Sequence, residues 1–554
     1  MPTDLLKRSI SLLLKSQTNI LTAAYVIMGT VVLSQLLGII KQRLLVSIFG
    51  ASNTLGIFDY ALLIPDTLFQ ITAAAALSSA FIPVFSEYLA KGEKEVANRM
   101  ASTLLLLGLG AFFVVAVVLF ITAPYILTIF NLGGEFTPDQ MTLMANLMRV
   151  VLFGQMIFMV AAFFTAILQS HNRFFIPGFA AALYNLGAII GIYTLSPYIG
   201  IFSAPMGIVF GSMLYVLIQI PVAFRVGFSF IPTWSYIRSS GVIRVAKLMV
   251  PRSVSIVVFQ AGTLALASII SLLQDPGRMN LLYNLAKTLA YAPVALFGLT
   301  IAQAAFPVLS REKNDPEAFK TTFISSFNQM LYLILPVSVI ILVLRIPIVR
   351  LVYGADAFDW EATVLTGQIL AILSLSIFAS ALLTLVYRGY WALHNTTIPL
   401  VIGTITTILI IGTAFVMIVW QGMGIQSVAF ALTIGSIIQL VILMFILDGK
   451  VGGFEKRQEA VSLAKFFIST LCTGFALYIP IKLFDQLVFD TTRTVNLMML
   501  TGISTIAGIS LYVFLTWFLN VKEANTYILM FKRLGNWKDI LKRSDEVIDS
   551  SRMS

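Results

Sequence analysis

From residue 20 to residue 520 the chain repeats one pattern: an apolar run long enough to cross a bilayer, then a short polar stretch that holds most of the charge. A membrane-spanning helix needs about 20 apolar residues. A sliding window of about 19 residues finds such segments near 20–40, 57–86, 101–130, 141–168, 174–196, 201–223 and 244–273, and again near 279–309, 321–350, 361–391, 397–420, 425–447, 460–482 and 494–520. Fourteen spans use roughly 280 residues, which leaves about half of the 554 for helix ends, turns and tails. Charged residues make up 11% of the chain, against about 25% in ordinary soluble domains. Apolar residues make up 58%, more than a water-soluble core could bury. The expected fold is an all-α polytopic membrane protein, and a soluble enzyme is excluded.

The basic residues set the expected orientation. With the N-terminus cytoplasmic, 25 of the 36 lysines and arginines fall in inside segments and six fall outside: Lys41, Arg43, Arg278, Arg350, Lys482 and Arg493. The bias alternates turn by turn, as the positive-inside rule requires of an even number of spans with both ends inside. Acidic turns, Glu135–Asp139 and Asp356–Glu361, fall outside. The net charge of +11 therefore reports topology, and no Lys/Arg stripe with interleaved aromatics suggests nucleic acid. The single cysteine, Cys472, excludes an internal disulfide and a cysteine metal cluster. Residues 1–19, with Lys7, Arg8 and Lys15, read as a basic interfacial lead-in rather than a cleaved signal. In the 521–554 tail, Asn525–Arg543 mixes apolar and cationic residues, which fits an amphipathic helix on an anionic leaflet; an irregular tail is the alternative.

Three anchors recur at one spacing. AFIPVFSE (Ala80–Glu87) matches AFPVLSRE (Ala305–Glu312), with Pro83 and Pro307 offset by 224. Both histidines precede asparagine, and His171 with Pro177 matches His394 with Pro399 at 223 and 222. Phe136 and Phe358 match at 222. Three matches in order argue for two copies of a six-span unit, and an even number of spans makes the copies parallel, the design of transporters that bind cargo between two halves. The expected organisation is an N-terminal lobe at 20–223, a linker at 224–243, a C-terminal lobe at 244–447, two further spans within 448–520 and the tail. Proline within long segments, at Pro65, Pro83, Pro251, Pro293 and Pro307, predicts kinks or hinges.

Ser34–Ser52 (SQLLGIIKQRLLVSIFGAS), followed by LLIPDTLFQ and SSAFIPVFSEY, and Ala292–Glu312 (APVALFGLTIAQAAFPVLSRE) resemble signature stretches of the MurJ/MviN lipid II flippases, within the superfamily of multidrug exporters and polysaccharide flippases. The resemblance implies movement of an undecaprenyl-pyrophosphate-linked peptidoglycan precursor from the inner to the outer leaflet of a bacterial inner membrane, by alternating access through a cationic cavity. It also marks departures. Gln35 stands where the family has arginine and Lys41 fills its second basic position. Phe69 and Gln70 replace an arginine pair, Lys287 and Thr288 align with an Asp-Arg pair, and Leu266 stands at the carboxylate of a sodium site. No sodium site is carried over, which leaves membrane potential, at ~2.3 kcal/mol per charge per 100 mV, as a candidate driving force.

A diphosphate in a low-dielectric cavity needs fixed donors or cations. Gln35, Gly38 and Lys41 share one helical stripe; the alternative for Lys41 and Arg43 is snorkelling at the interface. Lys287 lies on the order of 13 Å into its span, too deep for easy snorkelling. Arg149 is similarly deep, facing phosphate or a carboxylate. Arg252 follows Pro251 and either lines the cavity or anchors the inner leaflet. Asp66 needs a partner, Lys41 or Lys287, in a structural pair or an ion-coupling role. The histidines fit turns better than a proton relay. Gly108, Gly110, Gly502 and Gly508 are expected to let helices approach. No catalytic constellation, metal set or cofactor motif is visible. The expected partners are a lipid-linked anionic substrate, the bilayer and cell-wall synthesis proteins, with the chain a monomer. A lipid-linked oligosaccharide flippase, a drug exporter and a transport-inactive scaffold are the alternatives.

Overall fold

The computed structural model describes residues 20–74, 80–130, 132, 134–454, 456–484 and 493–525. The N-terminal lead-in and the tail from 526 onward lie outside the described residues. Helices fill nearly all of the rest: α1 (Ile20–Phe49), α2 (Asn53–Phe69), α3 (Ile82–Ala90), α4 (Lys94–Ile129), α5 (Pro138–Ser170), α6 (Phe175–Ile199), α7 (Ser203–Arg225), α8 (Ser240–Ile270) and α9 (Pro276–Pro293). They continue with α10 (Thr300–Arg311), α11 (Pro316–Val343), α12 (Arg345–Tyr353), α13 (Trp360–Ser374), α14 (Ile377–Ala392), α15 (Thr397–Phe415), α16 (Gln426–Lys450), α17 (Lys456–Phe484) and α18 (Thr494–Phe518). Among the described residues, ten apolar helical runs are long enough to cross a membrane, or eleven when the pair α13 and α14, bent by 45°, counts as one span. One of those runs, Phe175–Arg225, is a hairpin of two helices. Gly200 at φ +56° lets the chain reverse, and α6 and α7 then pack antiparallel, with Gly187 against Gly211 and Gly191 against Gly207. No Cβ fits between those backbones, which approach as small-residue stripes permit in lipid.

The duplication is visible in local structure. A π-helical turn, Gln70–Ala74, follows α2, and another, Val294–Leu299, follows α9 at an offset of 224. Thr137 caps α5 in a reciprocal capping box with Gln140, and Asp359, 222 residues later, accepts from the Ala362 amide at 2.6 Å before α13. The histidine match shifts by one. Left-handed backbone occurs at Asn172 (φ +56°) and His394 (φ +53°), and the amides of Arg173 and Asn395 each bond a carbonyl five residues back. Asn172 therefore corresponds to His394, because the turn conserves a backbone conformation that either side chain tolerates, and the shared His-Asn dipeptide is out of register. His171 bonds the Ile167 carbonyl through Nδ1 at 2.9 Å, whereas His394 Nε2 lies 2.9 Å from Lys313 Nζ. Both histidines serve turns.

By packing, the described residues form two compact units. The first contains residues up to Leu285 together with Val352–Thr366 and Thr407–Val428; the second contains Ala286–Leu351, Gly367–Thr406 and the chain from Ala429. In the first unit α5 packs on α7 and α2, and α6 packs on α1. Asn185 of α6 donates to the Ser34 carbonyl and hydroxyl at 3.1 and 3.2 Å. An aromatic core joins Phe81, Phe85, Phe163, Phe164 and Phe228. One end of this unit is tied by several turns. Asn53 Oδ1 accepts from the Gly277 amide at 2.7 Å, the Glu135 amide donates to the Ser271 carbonyl at 2.8 Å, and Arg278 bridges Asp359 and Glu361 at 3.0 and 3.1 Å. Gly56 abuts the Gly277 backbone where no side chain fits. At the other end Arg244 pairs with Glu87 at 2.6 Å.

In the second unit α14 packs on α10 and α11, and α17 and α18 pack together and against α11. The two helices beyond the repeat are thus joined to the second unit. Tyr512 donates to the Tyr332 carbonyl at 3.0 Å, and Tyr390 to the Leu443 carbonyl at 2.8 Å. Outward faces of both units are apolar, with Val114, Ile121 and Tyr125 on α4 and Met498, Ile506 and Phe514 on α18 exposed, as lipid contact requires. Of the glycines expected at helix contacts, Gly108 meets Met159 and Gly508 meets Leu477, while Gly110 and Gly502 face open space. Pro83 occupies the first turn of α3 rather than a kink, whereas Pro65 and Pro307 lie within helices and Pro293 ends α9 at the π-helical turn.

Candidate functional site

The first unit holds a polar cluster within its spans. Ser52 caps α2 by accepting from the Leu55 amide at 3.2 Å, and the helix then carries Asp59 and Asp66 seven residues apart. Seven residues are nearly two turns, so both carboxylates share a face, about 10 Å apart along the axis. Both are half-buried. Gln155 of α5 donates its amide to Asp66 Oδ1. Asn284 of α9 donates to Asp59 Oδ2 at 3.4 Å. Lys41 of α1 stands with Nζ 5.4 Å from the Tyr184 ring centroid, a cation–π arrangement, and its ammonium interacts electrostatically with Asp66 and, less strongly, with Asp59. A cavity of about 200 Å³ opens beside this cluster, lined by Asp66, Gln70, Gln155, Tyr184, Ser212 and the rings of Phe69 and Phe158. Phe158 stands edge-on to Phe69 at 5.0 Å and to Tyr184 at 5.2 Å, which fixes the aromatic wall.

Of the residues singled out from sequence, Lys41 and Asp66 come together here, and Gly38 faces Asn185 on the neighbouring α6. Gln35, on the same stripe, is exposed. Arg43 reaches the tied end of the unit, where Nη2 donates to the Gly354 carbonyl at 3.1 Å. Arg149 donates to the Phe120 carbonyl at 3.0 Å and to Asn146 Oδ1 at 2.7 Å, with its guanidinium 5.4 Å from the Phe120 ring. It joins α5 to α4 and lies away from the cavity lining. Pro251 and Arg252 fall on α8, but their side chains lie outside the described ones. Lys287 is half-buried on the stretch of α9 that belongs to the second unit.

Sequence reasoning missed Asp59, Gln155, Tyr184 and Asn284. A signal existed for Asp59, since two acids at i and i+7 in an apolar helix mark one polar face. Gln155 and Asn284 carry no charge, and neutral amides in spans are common enough that only contact reveals their role. The chemistry of the cluster is binding: it offers an ammonium, two carboxylates, amides and aromatic rings. Among the described residues, no group of three or more metal-ligating side chains converges.

A family model described as lipid II flippase MurJ matches residues 45–499. A Haemophilus influenzae protein described as a probable lipid II flippase MurJ is 25% identical over 472 residues, covering 81% of this chain and 90% of that protein. A Thermotoga maritima protein with the same description is 26% identical over 444 residues, covering 79% and 87%. Among solved structures, a lipid II flippase MurJ in an inward closed conformation superposes with a TM-score of 0.74 at 23% identity, over 89% of this chain and 98% of that one. An inward-facing multidrug resistance MATE family transporter of the MOP superfamily gives 0.60 at 16% identity, over 77% and 98%.

Proposed function

Because this multi-pass membrane chain belongs to the MurJ family of lipid II flippases, we propose that it carries lipid II, the undecaprenyl-pyrophosphate-linked peptidoglycan precursor, from the inner to the outer leaflet by alternating access. The family match along residues 45–499 carries this reading. It runs through both copies of the repeat and covers Asp59, Asp66, Gln155, Tyr184 and Asn284 of the polar cluster.

The chain is a transporter, and its cycle makes and breaks no covalent bond. It resides in the bacterial inner membrane with both termini cytoplasmic, which the distribution of lysine and arginine supports. The tied end of the first unit, where the 134–137, 271–278 and 354–361 turns meet, then faces outward. Lys41 is the cation of the first unit proposed to meet the diphosphate, since a dianion leaving water needs charge-assisted donors, and Lys287 is proposed as a second cation that transport requires. Arg149 and Arg43 act as structural ties, as their carbonyl contacts support.

Rescue of a bacterium depleted of its own lipid II flippase tests the function. Expression of the chain is expected to prevent lysis and restore lipid II at the outer leaflet. A drug exporter, a capsule-precursor flippase or a transport-inactive scaffold would leave the cells lysing.

A further inference from the structure

The Gln155 side chain is 8% exposed and lines the cavity beside Asp66. Its amide nitrogen donates to Asp66 Oδ1, while its amide oxygen is buried and has no hydrogen-bond partner among the described residues. A buried acceptor left so is costly and calls for a donor. A carboxylate has none to offer, but a carboxylic acid does. An amide and an acid side by side close a ring of two hydrogen bonds: the amide N–H donates to one carboxyl oxygen, and the carboxyl O–H donates to the amide oxygen. The bond already present between Gln155 and Asp66 is the first half of that ring.

The surrounding charges favour the same state. The titratable groups that face Asp66 are Lys41 from α1, Asp59 from its own helix and Tyr184 from α6. The neighbouring α5 and α7 contribute the uncharged Gln155 and Ser212, and α9 offers Asn284 to Asp59. One ammonium thus stands among two carboxylates inside a membrane span, where uncompensated charge is disfavoured. One proton makes the set neutral and satisfies the orphaned oxygen together.

We infer that Asp66 and Gln155 form a proton-binding site in the spanning part of the first unit, with the proton held on Asp66 Oδ2 and shared with Gln155 Oε1. The proton enters from water in the cavity and leaves the same way, so only the O–H bond forms and breaks. Binding stands apart from any cargo. Its use as the coupling ion of transport rests on the flippase reading above.

Infrared difference spectroscopy of the purified full-length protein, stepped through pH, reads the site directly. A protonated-carboxyl C=O band is expected to grow as pH falls, to vanish in Asp66→Asn and to persist in Asp59→Asn. In Gln155→Leu it is expected to move to higher frequency, because the O–H has lost its acceptor. A band unchanged by Asp66→Asn, or identical in Gln155→Leu, overturns the proposal. So does its loss on adding sodium at fixed pH, which would assign the site to a metal cation. If Asp66→Asn does not fold, the frequency in Gln155→Leu decides. A band that behaves as expected in a protein that fails the rescue assay leaves the proton site standing and sinks the flippase reading. Rescue with no such band does the reverse.

Discussion

In the first copy of the repeat, α2 loosens into a π-helical turn at Gln70–Ala74 before α3; in the second, α9, the Val294–Leu299 turn and α10 follow the same course 224 residues later. The side chains on this shared backbone differ in sign. Asp59 corresponds to Tyr283, Asp66 to Ala290 and Leu63 to Lys287. The first copy therefore carries acids where the second carries a ring and a methyl group, and the second carries an ammonium where the first is aliphatic. The backbone device is common property of the two copies, whereas charge has been placed in each separately. A duplicated scaffold thus supports two chemically different surfaces without a change in fold.

Exchanging residues between the copies tests how much that difference matters. Lys287→Leu gives the second copy the aliphatic residue of the first, and rescue of depleted cells is expected to be abolished with protein level unchanged on immunoblots; normal growth would show that the ammonium is dispensable. Lys41→Leu is expected to be nearly as severe in the same assay. Here part of the loss is stability, on the order of 2–3 kcal/mol, because the acids of the cluster lose the ammonium that compensates their charge, and a fall in melting temperature should accompany it. Lys41→Arg keeps the charge and is expected to recover most of the stability. Asp59→Asn should be milder, a few-fold loss of transport, since Asn284 can still hydrogen-bond an amide.

Smaller effects belong to the ends of the first unit. Arg278→Ala removes bridges to Asp359 and Glu361, both mostly exposed, and is expected to cost less than about 1 kcal/mol in unfolding experiments. At the opposite end Lys91 and Arg244 beside Glu87 hold its carboxyl below its ordinary 4.5. A depressed carboxyl contributes stability above pH 4.5 that is lost as pH falls through the folded value. Glu87→Gln should thus melt slightly below the wild type at pH 7, and the gap should narrow as pH falls below 4.5; equal melting throughout would show that the pair contributes nothing.

Helix class and the repeat were legible because they are written in long apolar runs and in spacing, signals that hundreds of residues reinforce. The broken spans were less so. The separate segments at 174–196 and 201–223 anticipated the α6–α7 hairpin, but the π-helical turns have no compositional mark, since a single extra residue in a helix changes no periodicity that a window can detect. The candidate site was half legible. Lys41 and Asp66 stood out because a charge in an apolar run is conspicuous. Their partners, Gln155, Tyr184 and Asn284, lie 89 or more positions from Asp66, and only the fold brings them near. Arg149 was conspicuous for the same reason as Lys41, yet its guanidinium is occupied by the Phe120 carbonyl and by Asn146. Depth in a span marks a residue as unusual without saying which face of the helix it occupies.

The paired π-helical turns have one more consequence. Each residue advances a helix by about 100°, so the extra residue in each turn rotates everything beyond it by nearly a third of a revolution. Excising that one residue would leave the downstream helix intact in composition and aim its oily stripe at the wrong neighbour. Length in these two places is therefore read like phase, and single-residue insertions or deletions there should be among the least forgiven changes in the chain.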